Sequence, residues 1–283
     1  MLAVTKPSYL LIGILALLLA GLLVLEGGWS MSGGSLWAFS FLSYVPLMLR
    51  SALAALVVAS AILALVSPRR MENRWSSRLA SAPIWPLAFA GGILFWLLRE
   101  RTVHGDALLK LKLLATTSLR DDPYVWKEPL DSLLAHTGAD VAAALGQPPE
   151  VAVALLSVLA GSIYLWSALH VGRLLGRTPW NALLIVIALL ATGSSQLWFG
   201  HIENYSLVTA VCFLSVVLAV GYLRGDTPLW PVGLVGGAAV SLHPQAVFAV
   251  PAMLLLLDRR RWKGQIGVLF LSGIFVPLLT VLL

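Results

Sequence analysis

Runs of about twenty apolar residues recur along this chain, and they constrain its fold more than any other feature. A helix of about 20 apolar residues is what crosses the ~30 Å hydrocarbon core of a bilayer. Such runs fall at residues 8–25, 44–66, 82–98, 151–171, 179–199, 205–223 and from 265 to the final Leu283. Two shorter runs, 229–242 and 246–257, flank His243-Pro244-Gln245. With 59% hydrophobic and 11% charged residues, the chain has too little polar surface for a soluble domain. The expectation is an all-α fold, a polytopic transmembrane helix bundle of about nine spans forming a single membrane domain over residues 1–283. The first run follows Lys6, is long for a signal-peptide core and is followed by no A-x-A cleavage site, so it reads as a retained anchor helix. The last run is still apolar at Leu283, which leaves a C-terminal truncation open. The one cysteine, Cys212, excludes an intrachain disulfide and says nothing of the redox compartment.

Lys/Arg bias orients such a bundle. When the runs alternate across the membrane, one side collects Lys6, Arg69, Arg70, Arg74, Arg78, Arg173, Arg177, Arg224, Arg259, Arg260, Arg261 and Lys263. That side holds 12 basic and 3 acidic residues, the other 7 basic and 10 acidic. The first is therefore expected to be cytoplasmic, with the N-terminus, in an inner (plasma) membrane. The basic pI near 9.8 is then an orientation signal, and no nucleic-acid partner is expected. The acidic side also carries four of the five histidines, His104, His136, His201 and His243. Run 229–242 has 14 residues, or about 21 Å as helix, short of a full crossing. The His243-Pro244-Gln245 turn is thus expected below the outer surface, facing protein or a water-filled cavity, since lipid cannot satisfy its backbone. Gly233 and Gly237 form a G-x-x-x-G and read as helix packing.

No other stretch gathers as many titratable side chains as the expected extracytoplasmic loop, residues 99–150, between the third and fourth spans. Short helices lying on the membrane are expected within it. One covers 107–115, where Lys110 and Lys112 snorkel to phosphate level. Another starts at Pro129 and ends at Gly138, and a third covers 139–145. Asp106 suits a helix N-cap, and equally a general base or metal ligand at an acceptor hydroxyl. His104, two residues earlier, is a candidate for the same substrate. Glu128, Asp131 and His136 suit substrate hydroxyls or a cation, and a solvated loop face explains them as well. Asp121-Asp122 before Pro123 reads as a turn or as a carboxylate pair for a divalent cation, Mg²⁺ or Mn²⁺. His201-Ile202-Glu203-Asn204 places three polar side chains at an outer junction, where unused charge is costly. His243 and Gln245, expected at membrane depth, are site candidates for the same reason. Arg50, Arg99, Arg101, Lys110 and Lys112 sit near outer headgroup level, suited to a lipid phosphate or to anchoring helix ends.

No Walker A loop, G-x-S-x-G, H-E-x-x-H or C-x-x-C occurs, so ATP-driven transport, serine hydrolysis, zincin proteolysis and thiol redox chemistry lose support. From about residue 82 onward the helix pattern resembles the polytopic glycosyltransferases of the GT-C superfamily. Val103-His104-Gly105-Asp106-Ala107-Leu108-Leu109 is similar to their acidic loop element after a membrane span. Trp198-Phe199-Gly200-His201-Ile202-Glu203-Asn204-Tyr205 and Leu242-His243-Pro244-Gln245-Ala246 are similar to later outer-edge motifs. In the family the acidic loop usually follows the first span, so the first two spans here would be an addition. The resemblance implies hexosyl or pentosyl transfer from a polyprenyl-phosphate sugar donor to a lipid, glycan or protein acceptor. It implies Asp106 as catalytic base, and His104, Glu128, Asp131, His136, His201, Glu203, Asn204, His243 and Gln245 as substrate-binding residues. Arg99, Arg101 and Lys110 would then hold phosphate. A transporter or flippase of a lipid-linked or polar solute is the alternative, suited by the broken 229–257 segment. A non-catalytic assembly subunit is the third reading, and it would tolerate loss of every outer carboxylate.

Overall fold

An apolar run without period-2 alternation closes its backbone hydrogen bonds within itself, as a helix. The computed structural model describes residues 82–99, 106–176, 178–190, 200, 202, 205–258 and 260–282, with Asp106 described by its backbone alone. Among the described residues every regular element is helical. They belong to one unit, Arg78–Leu283. The spans expected at 8–25 and 44–66, the basic loop 69–78 and Arg50 lie outside the described residues.

The elements are α1 (Ile84–Leu97), α2 (Asp106–Thr116), a 3-10 turn (Leu119–Asp121), α3 (Pro129–Ala144), α4 (Pro149–Leu175), α5 (Pro179–Leu190), α6 (Tyr205–Arg224), α7 (Trp230–Leu242), a 3-10 helix (Pro244–Ala249), α8 (Val250–Leu254) and α9 (Trp262–Leu282). Of these α4, α6 and α9 are long and apolar enough to cross a membrane. Prolines open α3, α4, α5 and α7 within their first turn, where a missing N–H breaks no bond. Two expectations change. The run 246–257 is not one regular α-helix: the short apolar helix Pro244–Leu254 is built of a 3-10 helix and the five-residue α8, with Pro244 and Pro251 in their first turns. Gly138 does not end a helix, because α3 continues from Pro129 to Ala144. Its missing side chain serves close packing instead. A Cβ at Gly138 would stand 3.2 Å from that of Ala152, where α3 crosses α4.

Helix α4 lies at the centre of the bundle, in contact with α1, α3, α5 and α6. It can do so because its buried positions include Ala152, Ala154, Ser157, Ala160, Gly161, Ala168 and Gly172, whose small side chains let several backbones approach. Helix α6 then packs on α7, and α7 on α9. The α7–α9 contact is the tightest of these. A methyl group at Gly237 would overlap the Gly273 carbonyl, and one at Gly233 would stand 2.8 Å from the Leu269 carbonyl oxygen. This is the packing role expected for the G-x-x-x-G. Helix α3 closes one end of the bundle, touching α4, α7 and α9.

Charge is divided between the ends. At the α3 end lie Lys110, Asp122, Glu128, Asp131, His136 and His243. At the other end the Arg224 Nη1 donates to the Leu174 carbonyl at 2.5 Å, and Gln265 Nε2 donates to the Tyr222 hydroxyl at 2.7 Å. Asp258, Arg260, Arg261 and Lys263 belong to that second end by their place just before or within the first turn of α9. Between the ends is an apolar core of Ala160, Tyr164, Leu207, Val208, Ala210, Ala239, Leu242 and Ala246.

The α7–α9 contact supplies a direct test. Gly237→Ala should destabilise the protein by about 1–3 kcal/mol through overpacking, read as a lower thermal midpoint in detergent. Gly264→Ala, where a methyl group meets nothing within 4 Å, should leave the midpoint unchanged or raise it. Equal losses at the two glycines would contradict the packing account.

Candidate functional site

Carboxylates enter a protein interior only with partners, and at the α3 end three cross-segment pairs supply them. Lys110 Nζ of α2 lies 2.7 Å from Asp131 Oδ2 of α3. His136 Nε2 of α3 lies 3.2 Å from Asp122 Oδ2 in the loop before it. His243 Nε2, at the end of α7, lies 3.3 Å from Glu128 Oε1 at the start of α3. All six side chains are at most 13% exposed. The loop is braced by Asp122, whose Oδ1 accepts from the Tyr124 amide at 2.8 Å in an Asx turn.

These pairs surround a cavity of about 150 Å³. That is the size of cavity that accommodates one six-membered ring. Leu109, Leu113 and Leu114 of α2 give it an apolar lining, and Asp122, Glu128, Asp131 and Ser132 a polar one. Tyr124, Tyr205 and His243 add aromatic faces. Tyr205 packs its ring on that of His243, 5.3 Å between centroids and tilted by 55°. Its position follows from the turn before α6. Gly200 adopts φ +93°, and a Cβ there would stand 2.6 Å from the Phe95 carbonyl oxygen. Its amide donates to Ser157 Oγ at 3.0 Å, and that hydroxyl donates to Ser206 Oγ at 3.1 Å. Helices α1, α4 and α6 are joined there.

Glu128 is the most perturbed group of the site. Burial, followed by the neighbouring charge of Asp131, pushes its carboxyl up to about 7, against the opposing pull of Lys110. It therefore exchanges a proton near neutral pH, whereas an ordinary Glu does so near 4.3. Its backbone is held on both sides. The Glu128 amide donates to the Tyr124 carbonyl at 2.8 Å, and its carbonyl accepts from the Ser132 amide at 2.9 Å.

The expected site residues divide as follows. Lys110, Glu128, Asp131 and His243 line one cavity. His136 is buried behind it, on Asp122. Gln245 is exposed and does not line it, and its part is played by its backbone amide, which donates to His243 Nδ1 at 3.3 Å. His243 thus faces a protein group from each ring nitrogen, Glu128 Oε1 from Nε2 and the Gln245 amide from Nδ1. Arg99 folds back on its own helix, Nη1 donating to the Trp96 carbonyl at 2.8 Å with the guanidinium 3.7 Å over the Trp96 ring. Lys110 turns inward onto Asp131, and of the two lysines only Lys112 is exposed as snorkelling requires. Position 106 opens α2 three, four and seven residues before Leu109, Lys110 and Leu113, the register of one helix side. His104, Arg101, His201, Glu203 and Asn204 lie outside the described residues.

Asp121 and Asp122 do not act as a pair, since Ser118 donates to Asp121 at 2.6 Å while Asp122 serves Tyr124 and His136. Among the described residues no group of three or more His, Cys, Asp and Glu side chains is placed to hold a metal ion. The sequence reading omitted Tyr124, Ser132 and Tyr205 from the site. Ser132 was legible, one residue after Asp131 on α3. The tyrosines are placed by a turn and by a packing contact that no motif carries. No protein-family model, curated protein or solved structure matches this chain.

The Lys110–Asp131 pair gives a prediction. Lys110→Met leaves Asp131 buried without its cation and should cost about 2 kcal/mol of stability. Lys110→Met combined with Asp131→Leu should recover most of that loss, because neither charge then needs a partner. Thermal unfolding of wild type, Lys110→Met, Asp131→Leu and the double variant measures it, and an additive double variant would remove the pair as the cause.

Proposed function

We propose that this chain is a membrane glycosyltransferase of the GT-C type, moving a sugar from a polyprenyl-phosphate donor to an acceptor hydroxyl. The observation that carries the reading is Glu128: a carboxylate with its proton affinity raised to about 7, on the wall of a ring-sized cavity that also holds tyrosine faces and hydrogen-bonding groups. A general base works best with a pKa near the operating pH. Aromatic faces suit the apolar side of a sugar ring, and carboxylates suit its hydroxyls.

In the proposed step the acceptor hydroxyl gives its proton to Glu128, and its oxygen attacks the anomeric carbon. The bond from that carbon to the phosphate oxygen breaks, its electron pair leaving with the phosphate. Asp106, the base implied by the family resemblance, is the second carboxylate for the same proton, and its place in the register of α2 suits it. Lys110, and Arg101 from the loop, are the cations proposed for the developing phosphate charge. The nine-span arrangement with the cavity at the outer face of an inner membrane follows from the Lys/Arg bias and belongs to the same proposal. Transport has less support. An apolar cluster of Leu207, Leu242, Tyr164 and Ala160 packs against Tyr205 of the cavity, and this cluster carries no charged side chain of the kind a path for a polar solute would use.

Two outcomes are expected in a sugar-transfer assay with a polyprenyl-phosphate sugar. Turnover should rise with pH through about 7, because Glu128 must be ionised to accept a proton. Glu128→Gln should lower kcat by roughly 10²–10⁴-fold, with Asp106→Asn measured beside it. Near-normal turnover in one variant would remove the base role from that residue, and near-normal turnover in both would overturn the mechanism.

A further inference from the structure

We propose that His243 is a positioning residue whose imidazole, held in a single tautomer by the backbone of its own turn, donates from Nε2 to Glu128 and so fixes the carboxylate in the cavity. The proposal rests on Glu128 being the proton acceptor.

A backbone amide can only donate. The Gln245 amide faces His243 Nδ1 at 3.3 Å, so in the neutral ring Nδ1 is the acceptor and the proton resides on Nε2. His243 Nε2 lies 3.3 Å from Glu128 Oε1. The ring has little freedom to leave. His243 is the N-cap of the 3-10 helix, in extended backbone at φ −159° and ψ 130°. Its amide donates to the Ala239 carbonyl at 3.0 Å, and its carbonyl accepts from the Ala246 amide at 3.0 Å. Tyr205 covers the ring from α6. Glu128 also stands at an N-cap, that of α3, yet its side chain makes no capping bond to its own helix. The carboxylate reaches His243 on another segment instead.

The charges around Glu128 come from every neighbouring segment: Lys110 from α2, Asp122 and Lys127 from the loop, Asp131 from α3 and His243 from the turn. Burial, Asp131 and Asp122 favour the protonated acid, and Lys110 and Lys127 oppose them. A donor on the carboxylate also favours its ionised form. Loss of the imidazole should therefore raise the carboxyl's proton affinity further. The two ends of the pair are far apart in sequence, and together they tie the polar loop to the break after α7.

The experiment uses the full chain in detergent, labelled with ¹⁵N-histidine and ¹³C-carboxyl glutamate, as wild type, His243→Gln and His243→Phe. At pH 8 the histidine signal that His243→Gln removes should be that of a ring protonated at Nε2 and bare at Nδ1. The carboxyl titration of Glu128, assigned with Glu128→Gln, should move up by ~1 pH unit in His243→Phe. In His243→Gln, whose amide can still donate, it should stay near the wild-type midpoint. A ring protonated at Nδ1, or one averaging both tautomers, would overturn the proposal, and so would an unmoved titration in His243→Phe. If the Phe variant does not fold, wild type and His243→Gln decide the tautomer by themselves. None of these readouts needs turnover, so failure of the glycosyl-transfer reading and failure of this proposal are separate results.

Discussion

The need of a buried charge for a partner governs this end of the molecule. Helix α3 and its N-cap bring Asp131, His136 and Glu128 into the interior, and each is met by a group from another segment: Lys110, Asp122 and His243. Removing one member of such a pair is far more damaging than never having had either. The pairs therefore do little for net stability, but they fix which segments meet. Helix α2, the loop around Asp122 and the turn after α7 are brought to α3, and the cavity is the space they leave between them.

The rest of the bundle makes that meeting possible. Helix α7 has 13 residues, about 20 Å, and ends at His243 within the polar region. Its other contacts are with α6 and α9, and the latter is close because Gly233 and Gly237 carry no side chain. Small residues along α4 hold α1, α3, α5 and α6 on one helix. Among the described residues glycine, alanine and serine set the helix separations, and the charged groups gather toward the two ends. Glu128 shows the consequence: packed among carboxylates and withdrawn from water, it holds its proton up to about 7, the range in which a carboxyl is useful as a base.

Much of this was legible in the sequence. Apolar runs gave helices α1, α4, α6, α7 and α9 within a few residues, and the Lys/Arg bias foretold a bundle with unlike ends. The convergence of His243 on the loop followed from the shortness of run 229–242. Gly138 misled because a glycine in a helical pattern signals either a stop or a close approach, and only the neighbouring Ala152 decides which. Lys110 misled in a similar way. On an amphipathic loop helix a lysine reads as snorkelling, and its inward turn depends on Asp131, 21 residues away. Tyr124 and Tyr205 reach the site through an Asx turn and a ring contact, which leave no periodic trace in the chain.

A structure of the full chain with a bound polyprenyl-phosphate sugar tests the account most directly. The sugar ring should occupy the cavity between Tyr124, Tyr205 and Glu128, with a ring hydroxyl or the acceptor position within hydrogen-bonding reach of the Glu128 carboxylate and the lipid phosphate toward Lys110. A sugar seated away from Glu128, for example in the apolar groove lined by Gly236, Met253 and Phe270 between α7 and α9, would contradict it.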